Sequence, residues 1–410
     1  MMNVTQLVPE RTTVALDEVM TRLAAPGSRL EPFSDAVLAF ANEFSRALFR
    51  DPQARRHPEL QSLAFWMRKA ELARLKDEFA ALETDTTALV PRGLVFHVAP
   101  SNVDTMFVYS WILSVLAGNT NIIRLSNRAA EASAVICRIL NEVLTTAHKS
   151  VPAGIAVLQY GHEDEITTAI SAACDVRVIW GGDSSVNQIR RIPIPAHAKE
   201  LTFPDRYSLA AIRASAYLGC DEAAKRDLAT RFYNDTFWFD QMACSSPRLV
   251  IWIGESGQCE DASHVFYELL AQEVKSKQYA LATGPRLHKL TFAYGAILDR
   301  PVARYEVFGS EVAVLQLDHI DNLDREHCGG GLLFQAYAAS LEEAAPALAR
   351  RDQTITHFGF TGDQLRAFAH HLNGRAIDRL VPLGQALVFN RFWDGYDLLR
   401  ELARTVYLQA

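Results

Sequence analysis

From Gly93 onward the chain alternates short, mostly apolar runs with longer stretches in which apolar residues recur every three or four positions. Leu94-Val95-Phe96-His97-Val98-Ala99 is the first run and stops at Pro100. Asn121-Ile122-Ile123-Arg124-Leu125, Ile155-Ala156-Val157-Leu158 and Val176-Arg177-Val178-Ile179-Trp180 follow it. Between them, residues 105–117, 129–147 and 163–172 carry helical spacing, the first closed by Gly118-Asn119. A strand with no polar alternation has both faces out of water, which a parallel sheet covered by helices provides. The pattern therefore predicts a doubly wound α/β fold. A second series of strands and helices starts after Asp221 and runs to about Val388. Ahead of Gly93 the chain reads as helical and charged, with one amphipathic helix expected over 58–79.

Composition narrows the class. With 410 residues, 49% hydrophobic and 22% charged, the chain has ordinary globular composition and room for two domains. A net charge of −7 provides no global field for nucleic acid or anionic lipid. The longest apolar stretch, 105–117, is too short to span a bilayer. Met1-Met2-Asn3-Val4-Thr5-Gln6 lacks the layout of a signal peptide. Six cysteines are scattered without paired spacing and are expected to be reduced thiols in a cytoplasmic protein.

One of the six stands apart. Cys244 lies in Asp240-Gln241-Met242-Ala243-Cys244-Ser245-Ser246-Pro247-Arg248, directly ahead of the strand-like Leu249-Val250-Ile251-Trp252-Ile253. A thiol among small and hydroxyl residues at the end of a scaffold strand suits a nucleophile. The turns after the predicted strands are the other candidates, because open α/β sheets bind ligands there. In Pro100-Ser101-Asn102-Val103-Asp104, the Asn102 amide could donate to an oxyanion or simply make a local turn. No Gly-x-Gly-x-x-Gly follows any strand, so pattern alone leaves the cofactor open. In Gly181-Gly182-Asp183-Ser184-Ser185, Ser184 could cap the next helix and leave N–H groups for a phosphate. The run from Asp318 to Cys328 has metal-ligand residue types without the spacing of a metal site, and no metal is expected. His357 reads as a structural or pocket residue.

Taken together, these segments resemble the aldehyde dehydrogenase superfamily, and within it the LuxC-type acyl-CoA reductases of bacterial bioluminescence. The resemblance runs through Phe65-Trp66-Met67-Arg68-Lys69, residues 93–128 and 178–187, Cys244 with its flanks, and Tyr305-Glu306-Val307-Phe308-Gly309-Ser310-Glu311. It continues through Gln353-Thr354-Ile355, residues 381–387 and Trp393-Asp394-Gly395-Tyr396. It implies two Rossmann-like doubly wound domains: an N-terminal helical segment over 1–85, a cofactor domain over 86–214, a catalytic domain over 215–385 and a C-terminal segment over 386–410. It makes Cys244 the nucleophile and Asn102, with the Cys244 N–H, the oxyanion donor. Glu306, in a motif with Phe308, would bind the nicotinamide ribose. Arg124 would contact the adenosine ribose, and Gly182 and Asp183 would lie near the pyrophosphate.

The turn after the second strand, with Ser126 and Arg128, carries no carboxylate to repel a 2′-phosphate, so NADPH is the expected cofactor. The implied activity is reduction of an acyl thioester, a fatty acyl-CoA or an acyl group on a carrier protein or acyl-protein synthetase, to the aldehyde. An aldehyde dehydrogenase working oxidatively and a non-catalytic acyl-holding subunit are the alternatives, and a homo-oligomer is expected. The glutamate that activates water in hydrolytic relatives aligns with Thr202, with Glu200 and Asp205 close by.

Overall fold

Strand β1 (Asn3–Val8) and β2 (Thr12–Ala15) form a hairpin, and β3 (Thr87–Pro91) pairs with the late strand Ala403–Tyr407. The first sheet continues with β4 (Leu94–Val98), β5 (Thr120–Leu125), β6 (Ile155–Gln159), β7 (Val176–Trp180) and β8 (Lys199–Phe203), in the order β2-β1-β6-β5-β4-β7-β8. The computed structural model describes residues 2–99, 106–127, 131–146, 151, 154–161, 163–321 and 324–409. It divides into two units, one of residues 1–205 with 389–410 and one of 206–388.

In the first unit β4 to β8 are all parallel, and strand order reverses between β4 and β7. That reversal opens a crevice at the carboxyl ends of the strands. The helix Met106–Leu116 is buried from Phe107 to Leu116, as expected for a helix apolar on every side. Next to it His97 bonds Ser110 Oγ and Asn121 Oδ1, each at 3.1 Å, and burial lowers its pKa to about 4, keeping the ring neutral.

Two local expectations change. The first fifteen residues contain the β1–β2 hairpin, which joins the sheet through β1 and β6. The helix expected over 58–79 is two helices, Pro58–Trp66 and Lys69–Ala80. Arg68 is extended between them (ψ 154°), its guanidinium 3.3 Å from the Phe65 ring centroid and its Nε donating to Phe65 O at 3.1 Å.

The second unit contains β9 (Tyr207–Arg213), β10 (Pro247–Ile253), β11 (Val302–Phe308), β12 (Val312–Leu317), β13 (Leu332–Ala338), β14 (Asp352–Phe358) and β15 (Arg379–Pro382). Their order is β11-β12-β13-β10-β9-β14-β15, with only the edge strand β11 antiparallel to its neighbour. Central β10 is buried at all seven positions. Cys244 therefore stands just before the amino end of the best-buried strand of the unit.

Candidate active site

The chain reaches Cys244 through a turn that no regular element would tolerate. After the helix Glu222–Thr236, Asp240 and Gln241 both take left-handed backbone, φ 50° and 62°. Two carbonyls between there and β10 are held by named donors. Ala243 O accepts from Ser246 N and from Arg248 Nη2, both at 3.0 Å. Cys244 O accepts from Ser208 Oγ at 2.7 Å. The thiol is half-buried, with Sγ 3.8 Å from Ser245 Oγ. Arg248 is 2% exposed, donates also to Arg206 O at 2.9 Å, and lies 5.6 Å from the Tyr207 ring centroid. A guanidinium is thus buried beneath the loop that carries the thiol.

The other thiols have different surroundings. Burial pushes Cys174 up to about 12, and Cys259 and Cys328 up to about 11. Those three are poor nucleophiles near neutral pH. Cys137 is buried on the helix Glu131–Thr146.

The same end of the sheet carries the glycine triplet that follows the run from Asp318 to Cys328. Gly329, Gly330 and Gly331 all have left-handed φ, between 66° and 79°. Gly330 N donates to Asp240 O at 2.8 Å, and Gly331 N to Gln241 Oε1 at 3.0 Å. Lys289, 6% exposed, donates to Glu311 O at 2.7 Å and Gly330 O at 2.9 Å, and burial lowers its pKa. A methyl at Gly331 would overlap Glu311 O and come within 2.7 Å of the Phe237 ring. Gly331→Ala is therefore expected to cost about 1–3 kcal/mol from backbone conformation alone. An unchanged urea midpoint would show that the turn relaxes.

Glu306 and Phe308 sit on β11, three strands from β10. Glu306 lines a pocket of about 410 Å³ with Glu260, Ser263, His264, Arg304 and Tyr337. Its closest cation is Arg304 Nη1, at 3.9 Å. Phe308 packs on Tyr267 and His264, ring centroids 5.5 and 5.7 Å away.

In the first unit, Arg124 is the penultimate residue of β5 at 9% exposure, donates through Nη2 to Gly161 O and lies 5.2 Å from the Tyr160 ring centroid. Its buried Nε has no acceptor, and among the described residues it makes no ion pair. Ser126 follows, half-buried. Asn102 and Arg128 lie outside the described residues. Gly182 precedes the helix Asp183–Arg190, whose first N–H is met by a carboxylate: Asp183 N donates to Asp205 Oδ2 at 3.3 Å and Asp205 N to Asp183 Oδ1 at 3.2 Å. Glu200 is committed as well, accepting from Arg177 Nε and Arg190 Nε, both at 2.9 Å. Thr202 stands two residues on, half-buried beside Ile179.

The family model for acyl-CoA reductase (LuxC) matches residues 59–285, more than half of the chain. The chain belongs to the LuxC family. Among relatives, the long-chain acyl-protein thioester reductase 2 of Photobacterium leiognathi is 25% identical over 199 residues, 48% of this chain and 38% of that protein. The long-chain acyl-protein thioester reductase of Vibrio harveyi is 22% identical over 324 residues, 77% of this chain and 63% of that one. The alignments therefore take in less than two thirds of these relatives' own length. The LuxC chain also has the aldehyde dehydrogenase fold. A putative aldehyde dehydrogenase from Burkholderia cenocepacia superposes with a TM-score of 0.65 at 15% identity, over 97% of this chain and 93% of that one. Aldehyde dehydrogenase 21 from Physcomitrella patens, in complex with its reaction product succinate, gives 0.67 at 10% identity, over 96% and 89%. No helix among the described residues is long and apolar enough to cross a membrane.

Sequence reading missed Ser208, Gln241, Arg248, Lys289 and the glycine triplet in this LuxC-family site. Only the triplet left a signal, three glycines in a row, and that signal marks a turn without saying what the turn touches.

Proposed function

We propose that this LuxC-family protein reduces an acyl thioester to the aldehyde through an acyl group carried on Cys244. The observation that carries the reading is the Cys244 loop, in which the carbonyls of Ala243 and Cys244 are bound by Ser246, the buried Arg248 and Ser208. A thiol on a loop fixed in this way is pre-organised for attack. The Cys244 sulfur bonds to the acyl carbon while the oxyanion is met by the Asn102 amide and the Cys244 N–H. The bond to the donor sulfur then breaks, and that thiolate leaves and takes up a proton.

A nicotinamide cofactor, when bound, supplies the hydride for the acyl carbon. Breaking the bond to Cys244 then frees the aldehyde and restores the thiolate. The residues suit such a cofactor. Arg124 is a buried cation with an unused Nε–H and, among the described residues, no carboxylate partner, which favours a phosphate-bearing nucleotide. Arg124, Ser126 and Arg128 would hold the adenosine ribose and its 2′-phosphate, and Glu306 with Phe308 the nicotinamide ribose. Gly182 and Asp183 would pass close to the pyrophosphate. Because Asp205 already takes the Asp183 N–H, that turn would contribute shape and not charge.

The acyl donor is acyl-CoA, or an acyl group borne by a carrier protein or an acyl-protein synthetase. The relatives' names, acyl-protein thioester reductase, support a donor borne by a protein. Purified protein offered a panel of acyl-CoAs and NADPH should release aldehyde identifiable by mass spectrometry. Acylation of Cys244 without aldehyde would point instead to an acyl-holding subunit.

Cofactor choice gives a separate prediction. Charge-assisted hydrogen bonds contribute about 1.5–3 kcal/mol, so Arg124→Met should raise KM for NADPH by roughly 10- to 100-fold and leave KM for NADH nearly unchanged. Arg128→Ala should act in the same direction. Equal kcat/KM for the two cofactors in the wild type would refute the preference.

A further inference from the structure

The two ends of the nucleophile loop are joined by one side chain. Gln241 is completely buried, and its Nε2 donates to Pro247 O at 2.9 Å while its Oε1 accepts from Gly331 N at 3.0 Å. Cys244 is the midpoint of the loop so closed. The backbone at 241 has φ 62°, a region that favours glycine, asparagine and aspartate, so glutamine is not there for conformational ease. An apolar residue of similar length would fill the space. A carboxamide supplies both the donor for Pro247 O and the acceptor for Gly331 N–H at every pH. The far side of the clamp is anchored too, since Lys289 binds Gly330 O and Gly330 N binds Asp240 O.

We propose that Gln241 is a positioning residue for Cys244, its carboxamide bridging residues 241 and 247 so that the thiol is held in the direction the acyl carbonyl requires. The inference rests on the Cys244 acyl-enzyme reading. Small errors of placement are costly to attack on a carbonyl, because sulfur and oxyanion donors must be satisfied together, and a shift of about 1 Å can cost 10²-fold. Alkylation by a small reagent has no such requirement.

The test compares the two reactions at the same thiol in the full-length protein. In Gln241→Met, acylation of Cys244 by an acyl-CoA without reductant, followed by intact mass, should slow by about 10- to 100-fold. Reaction of Cys244 with iodoacetamide should change by less than about threefold, since it needs an accessible thiolate only. Equal slowing of both reactions, or no slowing of acylation, overturns the proposal.

Should Gln241→Met fail to fold, Gln241→Glu decides. Its carboxylate keeps the acceptor for Gly331 N–H, and its protonated form alone can donate to Pro247 O. The groups around it, Asp240, Cys244, Arg248, Tyr279, Lys289 and Glu311, are shared with the wild type. The ratio of variant to wild-type acylation rates should therefore rise as pH falls, and a flat ratio overturns the assignment. If the wild type takes no acyl group at all, the functional reading fails, but the clamp is still tested. Hydrogen exchange over 240–247 should then be faster in Gln241→Met at unchanged denaturation midpoint, and unchanged exchange refutes it.

Discussion

Cys244→Ala is expected to reduce aldehyde formation from an acyl thioester by about 10⁴-fold or more, the scale seen when a nucleophile is removed from an otherwise intact site. Intact-mass measurement after mixing with acyl-CoA in the absence of reductant should show a single adduct in the wild type and none in the variant. The surroundings of the remaining cysteines support so large an effect. Burial raises the thiols of Cys174, Cys259 and Cys328 well above neutrality, so none of these three can take over. An adduct that survives in Cys244→Ala would move the nucleophile elsewhere.

The second large effect concerns what happens to the acyl-enzyme when no cofactor is present. Water needs a general base to attack the thioester at speed, and such help contributes typically about 10²–10⁴-fold. The aligned position holds Thr202, which cannot serve. Of the neighbouring carboxylates, which could have restored a base, Glu200 is the more firmly held. Glu200 is held by Arg177 and Arg190, and Asp205 accepts the N–H of Asp183. Arg177 is itself 1% exposed and also donates to Ser171 Oγ and Ile192 O, so this arrangement is part of the core and Glu200 is not free to swing out. The wild-type adduct should therefore persist until a reductant arrives. Thr202→Glu should hydrolyse about 10²–10⁴-fold faster without cofactor. A wild-type adduct that disappears as fast as it forms, or a variant no faster than wild type, would place the selectivity for reduction elsewhere.

The sequence was most readable where burial is one-sided in its demands. β4, β5, β6 and β7 are mainly apolar runs without polar alternation because both of their faces are covered, and such runs stand out against the helices between them. Cys244 was readable for a related reason. The strand after it, Pro247–Ile253, is buried throughout, so the small and hydroxyl residues ahead of it mark a loop at a fixed end. The β1–β2 hairpin was not readable. Its inward positions include Gln6, 7% exposed, and its neighbour β6 lies about 150 residues away. The helix expected over 58–79 breaks at Arg68 because that side chain folds back on Phe65, a contact no periodicity reports.

Local patterning in the chain thus determined most of the elements and the doubly wound class and set Cys244 apart from the other thiols, because apolar periodicity and turn chemistry are properties of neighbouring residues. What holds the Cys244 loop was decided by tertiary structure alone. Gly331 meets Gln241 across 90 positions, Lys289 reaches Gly330 across 41, and Ser208 reaches Cys244 across 36. Hydrogen bonds between residues so far apart depend on which strands lie side by side, and one stretch of chain carries no record of the stretch it will face.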